Sequence, residues 1–280
     1  MSSPPLVDAH LHVWDPDARH HDWLDDVPSL RRRFGPEDAD SGSHEIAAAV
    51  FVQADCRDEE ALDEVRWVQE LARTHPVIRG IVAYAPVHLG AAARPHLATL
   101  ADEPLVVGVR RLLQGRPEAE ILDPTLAMGV GLLPRFGLTF DICVTHGQLR
   151  AAAELVAACP ETTFVLDHLG KPPVASGALD PWRDDLARLA EHPNVACKLS
   201  GLATEAAPGW TSDDVRPYLE HALDVFGPRR CMVGSDWPLL TLAGTMAGWF
   251  DVVLEATAGL GEADRAAVLS GTATEVYGLS

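Results

Sequence analysis

Eight apolar runs of strand length, separated by longer stretches with helical spacing, constrain the fold of this chain more than any other feature. They are Leu6–Val13, Ala48–Gln53, Ile78–Ala85, Val106–Leu112, Leu138–Val144, Thr163–His168, Val195–Leu199 and Cys231–Asp236. Between them the spacing predicts amphipathic helices over Glu59–Thr74, Gly90–Leu100, Pro117–Arg135, Gly147–Cys159, Pro181–Glu191, Ser212–Phe226 and Gly244–Ala258, with one more from Glu262. Strand then helix, repeated, calls for a parallel sheet. Eight such units in about 250 residues fit a closed (β/α)8 TIM barrel better than an open doubly wound sheet.

The stretch after the first run departs from the alternation. Trp14 to His44 is long, charged and broken by Pro16, Pro28 and Pro36, and it reads as a loop excursion over the barrel mouth at about residues 14–44. At 280 residues with 47% hydrophobic side chains, the chain suits one large core, so residues 1–280 are expected to form a single barrel domain.

Charge narrows the partners. Against 22 basic side chains stand 41 acidic ones, a net charge of -19, with no basic run to offset it. Nucleic acid and anionic membrane are therefore poor partners, and a small molecule is the expected one. Met1 to Pro5 carry no positive charge and no apolar stretch of signal-peptide length, and no run approaches the roughly 18 apolar residues of a membrane span, so the expected location is cytoplasmic. Five cysteines, an odd count with no C-x-x-C pair, read as buried reduced thiols.

In a parallel barrel the reactive face lies at the carboxyl ends of the strands. Those ends are polar here. The first run carries His10 and His12, the second ends near Gln53 and Asp55, and the fourth holds Arg110 and Arg111. His146 follows the fifth, the sixth closes on Asp167 and His168, the seventh carries Lys198 and Ser200, and the eighth closes on Ser235, Asp236 and Trp237.

His10 and His12 are two apart on a strand, so both imidazoles project from one face into the lumen, where they suit a metal ion or serve as satisfied polar core groups. Asp236 precedes Trp237, an aromatic wall that can lift a carboxylate pKa; the alternative is a cap for the next helix. His168 reads either as part of the reaction centre or as a structural histidine. Arg110 and Arg111 point to opposite faces, and Arg110 is assigned to the lumen, bound to substrate or paired with Asp141 or Asp167. Gln53, Trp14, Tyr84, His88 and Trp237 sit at or just past strand ends and are candidates for the pocket wall, or for packing.

Several motifs together resemble the amidohydrolase superfamily: Val-Asp-Ala-His-Leu-His-Val-Trp at 7–14, Gly-Val-Arg at 108–110, Leu-Asp-His-Leu-Gly-Lys-Pro at 166–172, Cys-Lys-Leu-Ser-Gly-Leu at 197–202 and Gly-Ser-Asp-Trp-Pro at 234–238. They are similar to the branch of sugar lactonases, acting on L-fucono- and L-rhamnono-lactones, and of 2-pyrone-4,6-dicarboxylate lactonase. The resemblance implies that His10, His12 and His168 sit at metal or carbonyl-activating positions and that Asp236 is the acid/base. It also brings His146 forward as a match to the superfamily's fifth-strand histidine.

Arg110 and Arg111 stand where binuclear members have a bridging lysine or glutamate, and a guanidinium cannot bridge two cations. The resemblance therefore leaves one divalent ion held by His10, His12, His168 and Asp236, zinc first by ligand type, or none. The implied reaction is hydrolysis of a sugar-acid lactone, with water activated by Asp236 and the oxyanion met by His10, His12, His168, Lys198 or the ion. Substrate contacts are assigned to Arg110, Gln53, Trp14, Tyr84, Lys198, Trp237 and His146. Two other readings stand beside it: a metal-dependent decarboxylase of the same superfamily, and a non-catalytic barrel that binds a sugar acid.

Overall fold

The expected alternation is present in the computed structural model, which describes residues 5–279; the leader reading of the first residues lies almost wholly outside that range. Eight strands pair in parallel in sequence order: β1 Leu6–Leu11, β2 Ile46–Val52, β3 Ile78–Tyr84, β4 Val106–Leu112, β5 Thr139–Cys143, β6 Phe164–Leu166, β7 Val195–Leu199 and β8 Cys231–Val233. Helices α1 Ala61–Thr74, α2 Arg94–Ala101, α3 Glu118–Ile121, α4 Pro124–Val130, α5 Leu149–Ala158, α6 Trp182–Ala190, α7 Leu202–Glu205, α8 Ser212–Phe226, α9 Met246–Ala256, α10 Glu262–Ala266 and α11 Thr272–Tyr277 follow in order. Their buried residues recur at helical spacing, as with Ala61, Glu64, Val65 and Val68 of α1. No helix among the described residues is long and apolar enough to cross a membrane.

Two expected helices break where the backbone chemistry requires it. The Pro117–Arg135 stretch divides into α3, α4 and a 3-10 turn at Leu133–Phe136, because Pro124 and Pro134 lack the N–H that a continuous helix needs. The Gly90–Leu100 stretch kinks at Gly90, whose φ of 60° is left-handed, and α2 starts only at Arg94.

Inside the barrel, Val7, Ala9, Val50, Val82, Val165 and Met232 form an apolar floor, and α11 closes it from below with Ala273 and Tyr277. The seam between first and last strands is made above β8. Asp236 N–H donates to the His10 carbonyl at 2.8 Å and His12 N–H donates to the Trp237 carbonyl at 2.7 Å.

β1 contains a bulge. Asp8 pairs with Ala49 and Leu11 with Phe51, so three steps along β1 match two along β2. Val7 and Ala9 face the lumen below the extra residue and His10 and His12 face it above. The Asp8 carboxylate holds the bulge, accepting from His10 N–H at 3.1 Å, Ser235 N–H at 2.8 Å and the Ser235 hydroxyl at 2.6 Å.

The excursion after β1 folds over the mouth as three short 3-10 turns. It is anchored by Trp14, which is 1% exposed, donates its indole N–H to the Leu30 and Arg32 carbonyls at 3.2 and 3.0 Å, and meets Trp23 and Phe34 edge-on. All five cysteines are buried and unpaired.

Glu64 of α1 ties that helix to the end of β2, accepting from Ala54 N–H at 3.1 Å, while its other oxygen is buried without a partner. Burial raises its pKa to about 7, against the partial pull of the Ala54 N–H and Arg19. Its folded pKa lies above the unfolded value, so the native state holds the extra proton and stability is lost as pH rises from the normal carboxyl range through about 7. Glu64→Gln should raise stability by roughly 2 kcal/mol at about pH 8.5 and by little at about pH 5, as read from urea denaturation at both pH values.

Candidate active site

A layer of buried charge sits on the apolar floor. The Lys198 ammonium, fully buried, lies 2.6 Å from Asp141 Oδ2, 3.0 Å from Asp167 Oδ1 and 3.2 Å from His10 Nδ1. Tyr277 donates its hydroxyl to Asp141 Oδ2 at 2.8 Å, so the last helix reaches into the same network. Arg110 donates to Asp167 Oδ2 at 3.0 Å and to the Gln53 carbonyl at 2.6 Å. Burial opposes the charge on Asp167, but Lys198, His10 and Arg110 hold it well below the usual carboxylate range. The result is two cations against two carboxylates, a balance that an interior needs.

Above this layer three imidazoles converge on one carboxylate oxygen. Asp236 Oδ1 is 3.7 Å from His10 Nε2, 3.5 Å from His12 Nε2 and 3.8 Å from His168 Nε2. It is buried and accepts no hydrogen bond. The far nitrogens are held from behind: His12 Nδ1 by the Val52 carbonyl at 2.7 Å, His168 Nδ1 by Ser200 Oγ at 2.8 Å, and His10 Nδ1 by the charged layer. A carbonyl only accepts, so the His12 proton is on Nδ1 and its Nε2 lone pair faces the site.

Burial lowers all three histidine pKa values, that of His168 to about 4, so the rings are neutral near pH 7. Asp236 is opposed by burial but drawn down by His168, His12 and His10, and stays a carboxylate. This corrects the expectation of a lifted pKa. Trp237 is not a wall beside Asp236; it is 3% exposed and packs edge-on against Phe34, leaving imidazoles to face the carboxylate.

Unusual backbone brings the consecutive residues Asp167 and His168 to one centre. β6 stops at Leu166, and His168 and Leu169 take φ values of 53° and 54°. All five non-glycine residues with positive φ among those described, Asp55, His168, Leu169, Lys171 and Asp236, lie at the carboxyl ends of β2, β6 and β8. Glycines make room: a Cβ on Gly201 would lie 2.5 Å from the His168 ring, and one on Gly234 would lie 2.9 Å from His10 Cβ.

The centre opens into a pocket of about 190 Å³ to which His12, His168 and Asp236 contribute. Of the substrate contacts expected from the sequence, Trp14 and Arg110 line it. The structure does not bring the others to it. Gln53 is buried with its side chain on Asp55 N–H, Lys198 is beneath His10, and Tyr84 donates to Asp58. His146 turns its Nδ1 to the Lys171 carbonyl at 3.0 Å. The wall instead includes Trp23 from the excursion, Asp55, Gln114, Lys171 and Thr204. Ser200, read from the sequence only as a polar residue at the end of the seventh run, holds His168; Asp8, which holds His10, has no signal in the sequence beyond its proximity to the motif histidines.

The donor set fits a metal ion. His10 Nε2 and His12 Nε2 are 3.0 Å apart, and with Asp236 Oδ1 they form a group whose atoms lie within 4.8 Å of one another. Four-coordinate zinc with ligands at 2.0–2.1 Å separates them by roughly 3.3 Å. The His12 Nε2 lone pair and the orphaned Asp236 oxygen both face the site and suit a cation there.

The family described as Amidohydrolase matches residues 7–279. An L-fucono-1,5-lactonase of Burkholderia ambifaria is 33% identical over 284 residues, 97% of this chain and 94% of that one. A second L-fucono-1,5-lactonase, from Burkholderia multivorans, is 33% identical over 98% of this chain and 96% of that protein. A crystal structure of an amidohydrolase from Burkholderia multivorans with bound zinc superposes with a TM-score of 0.88 at 32% identity, covering 99% of this chain and all of that one.

The clearance at Gly201 is testable without a substrate. Its φ of 70° and the 2.5 Å approach to the His168 ring mean that Gly201→Ala should lower stability by about 3 kcal/mol. Chemical denaturation at neutral pH checks it; a loss under about 0.5 kcal/mol would mean that the His168 turn is not held as described.

Proposed function

The chain belongs to the amidohydrolase family, and from that premise we propose that it hydrolyses the ring ester of a small sugar-acid lactone of the L-fucono- or L-rhamnono-type, with Asp236 as acid and base. The observation that carries the reading is the Asp236 carboxylate, ionised among neutral imidazoles, with an oxygen that accepts no hydrogen bond and a pocket in front of it. Similarity to two L-fucono-1,5-lactonases over nearly the whole chain supports the substrate class.

In the proposed reaction, Asp236 takes a proton from water as the water oxygen bonds to the lactone carbonyl carbon. The carbonyl electrons move onto oxygen, a charge that His168 meets by donating Nε2–H while its Nδ1 accepts from the Ser200 hydroxyl. When the tetrahedral species collapses, the bond to the ring oxygen breaks and Asp236 returns its proton to that oxygen, giving the open hydroxy acid. Lys198 and Arg110 do not touch the substrate in this scheme apart from the face of Arg110 at the pocket wall. They hold Asp167 and His10 in place.

A divalent ion held by His10, His12 and Asp236, with His168 beside them, would supply Lewis-acid polarisation of the carbonyl oxygen, and imidazole and carboxylate donors make zinc the first choice. We place the enzyme in the cytoplasm, where five buried, unpaired cysteines suit a reducing compartment.

An indicator assay against L-fucono-, L-rhamnono- and L-galactono-lactones tests the reading. Asp236→Asn should lower kcat by about a thousandfold and leave KM within about threefold. Turnover retained within about tenfold would remove Asp236 from the acid/base role. The metal is tested apart from turnover: chelator-treated protein titrated with zinc in a calorimeter should take up about one equivalent, and His12→Ala should abolish it.

A further inference from the structure

The turn that ends β2 is held from three sides. The Asp55 N–H donates to Gln53 Oε1 at 2.6 Å, the Ala54 N–H donates to Glu64 Oε1 at 3.1 Å, and the Trp23 indole donates to the Ala54 carbonyl at 2.9 Å. Gln53 and Glu64 are each 1% exposed. These contacts fix Asp55 at a φ of 56°, a conformation that an aspartate keeps only where its surroundings over-determine it.

The Asp55 side chain itself is not engaged. Among the described residues its carboxylate accepts no hydrogen bond and joins no ion pair, yet it borders the pocket in front of Asp236. Asp55 is exposed at the pocket wall, so its rigid backbone holds a solvent-facing carboxylate where the hydroxyls of a ligand would enter.

The charge around the pocket states which ligand. Arg110 is engaged by Asp167 at 3.0 Å, and Lys171 has Glu205 at 3.6 Å. Each cation of the wall is thus engaged by a carboxylate, Asp167 being shared with Lys198, whereas Asp55 joins no ion pair and Asp236 faces only imidazoles. Asp55 is therefore the carboxylate of the wall that neither a protein cation nor the ion proposed at Asp236 offsets. Hydroxyl groups, which donate, are welcome there; a second carboxylate on the substrate meets repulsion.

Resting on the lactonase reading, we propose that Asp55 determines specificity: it accepts hydrogen bonds from ring hydroxyls of an uncharged polyhydroxy lactone, and its charge excludes lactones that carry a carboxylate.

The test compares wild type, Asp55→Asn and Asp55→Gly on three substrates: an L-hexono-1,5-lactone, the unsubstituted δ-lactone and a lactone bearing a carboxylate. The glycine variant releases the left-handed backbone, so an effect shared by both variants belongs to the carboxylate and not to strain. The preference in kcat/KM for the hydroxylated over the unsubstituted lactone should fall by about tenfold in Asp55→Asn and by up to about a hundredfold in Asp55→Gly, mostly through KM. The preference for neutral over carboxylated lactone should fall as well. Both preferences staying within about twofold of wild type would overturn the assignment while leaving the lactonase reading intact. Calorimetric binding of the matching polyhydroxy lactam, which is neutral and resists hydrolysis, separates the two: Asp55-dependent binding without turnover of any lactone sinks the hydrolase reading alone. Neither turnover nor Asp55-dependent binding sinks both.

Discussion

A single ammonium group, that of Lys198, holds the interior of this barrel together. It is fully buried and sits among Asp141 of β5, His10 of β1 and Asp167 of the turn after β6. Without it two carboxylates would share a dry space, a situation an interior does not tolerate unpaired. With it the charge balances, and its consequences run upward. Asp167 is fixed and holds Arg110; His10 is fixed from behind and turns its Nε2 toward Asp236. The floor below is apolar and the site above is polar, and this layer is the boundary between them.

Above that boundary the arrangement depends on irregular backbone. The bulge in β1 changes which residues face the lumen, so an apolar lower half and a histidine-bearing upper half can share one strand. The turns after β6 and β8 adopt left-handed conformations at His168 and Asp236, and the cost is offset by bonds such as His168 Nδ1 to Ser200 and Asp236 N–H to His10. Glycines at 201 and 234 leave the space that the rings fill.

How much of this was legible in the sequence follows from what is local. Apolar periodicity is local, so the eight strands and the order of the barrel were readable, and the polar strand ends pointed to His10, His12, His168 and Asp236. Helix breaks at Pro124 and Gly90 were visible as residues but gave way to the longer apolar pattern. Pairing across strands is not local. Nothing near Lys198 in sequence announces Asp141 or Tyr277, and nothing near Asp55 announces that a glutamate on α1 and a tryptophan on the excursion will fix its turn. Trp237 shows the same limit: beside Asp236 in sequence, it packs on Phe34 and leaves the electrostatics of its neighbour to three rings at the carboxyl ends of β1 and β6.

The seam of the barrel also has a consequence for how the protein comes into being. Asp8 and Ser235 stand 227 positions apart, and the same junction joins His10 to Asp236 and His12 to Trp237. A nascent chain that has emerged as far as β7 already carries His10, His12 and His168, but it has no Asp236 to draw them together. The cluster around Asp236 is therefore assembled only in the step that completes the ring, once β8 has been made.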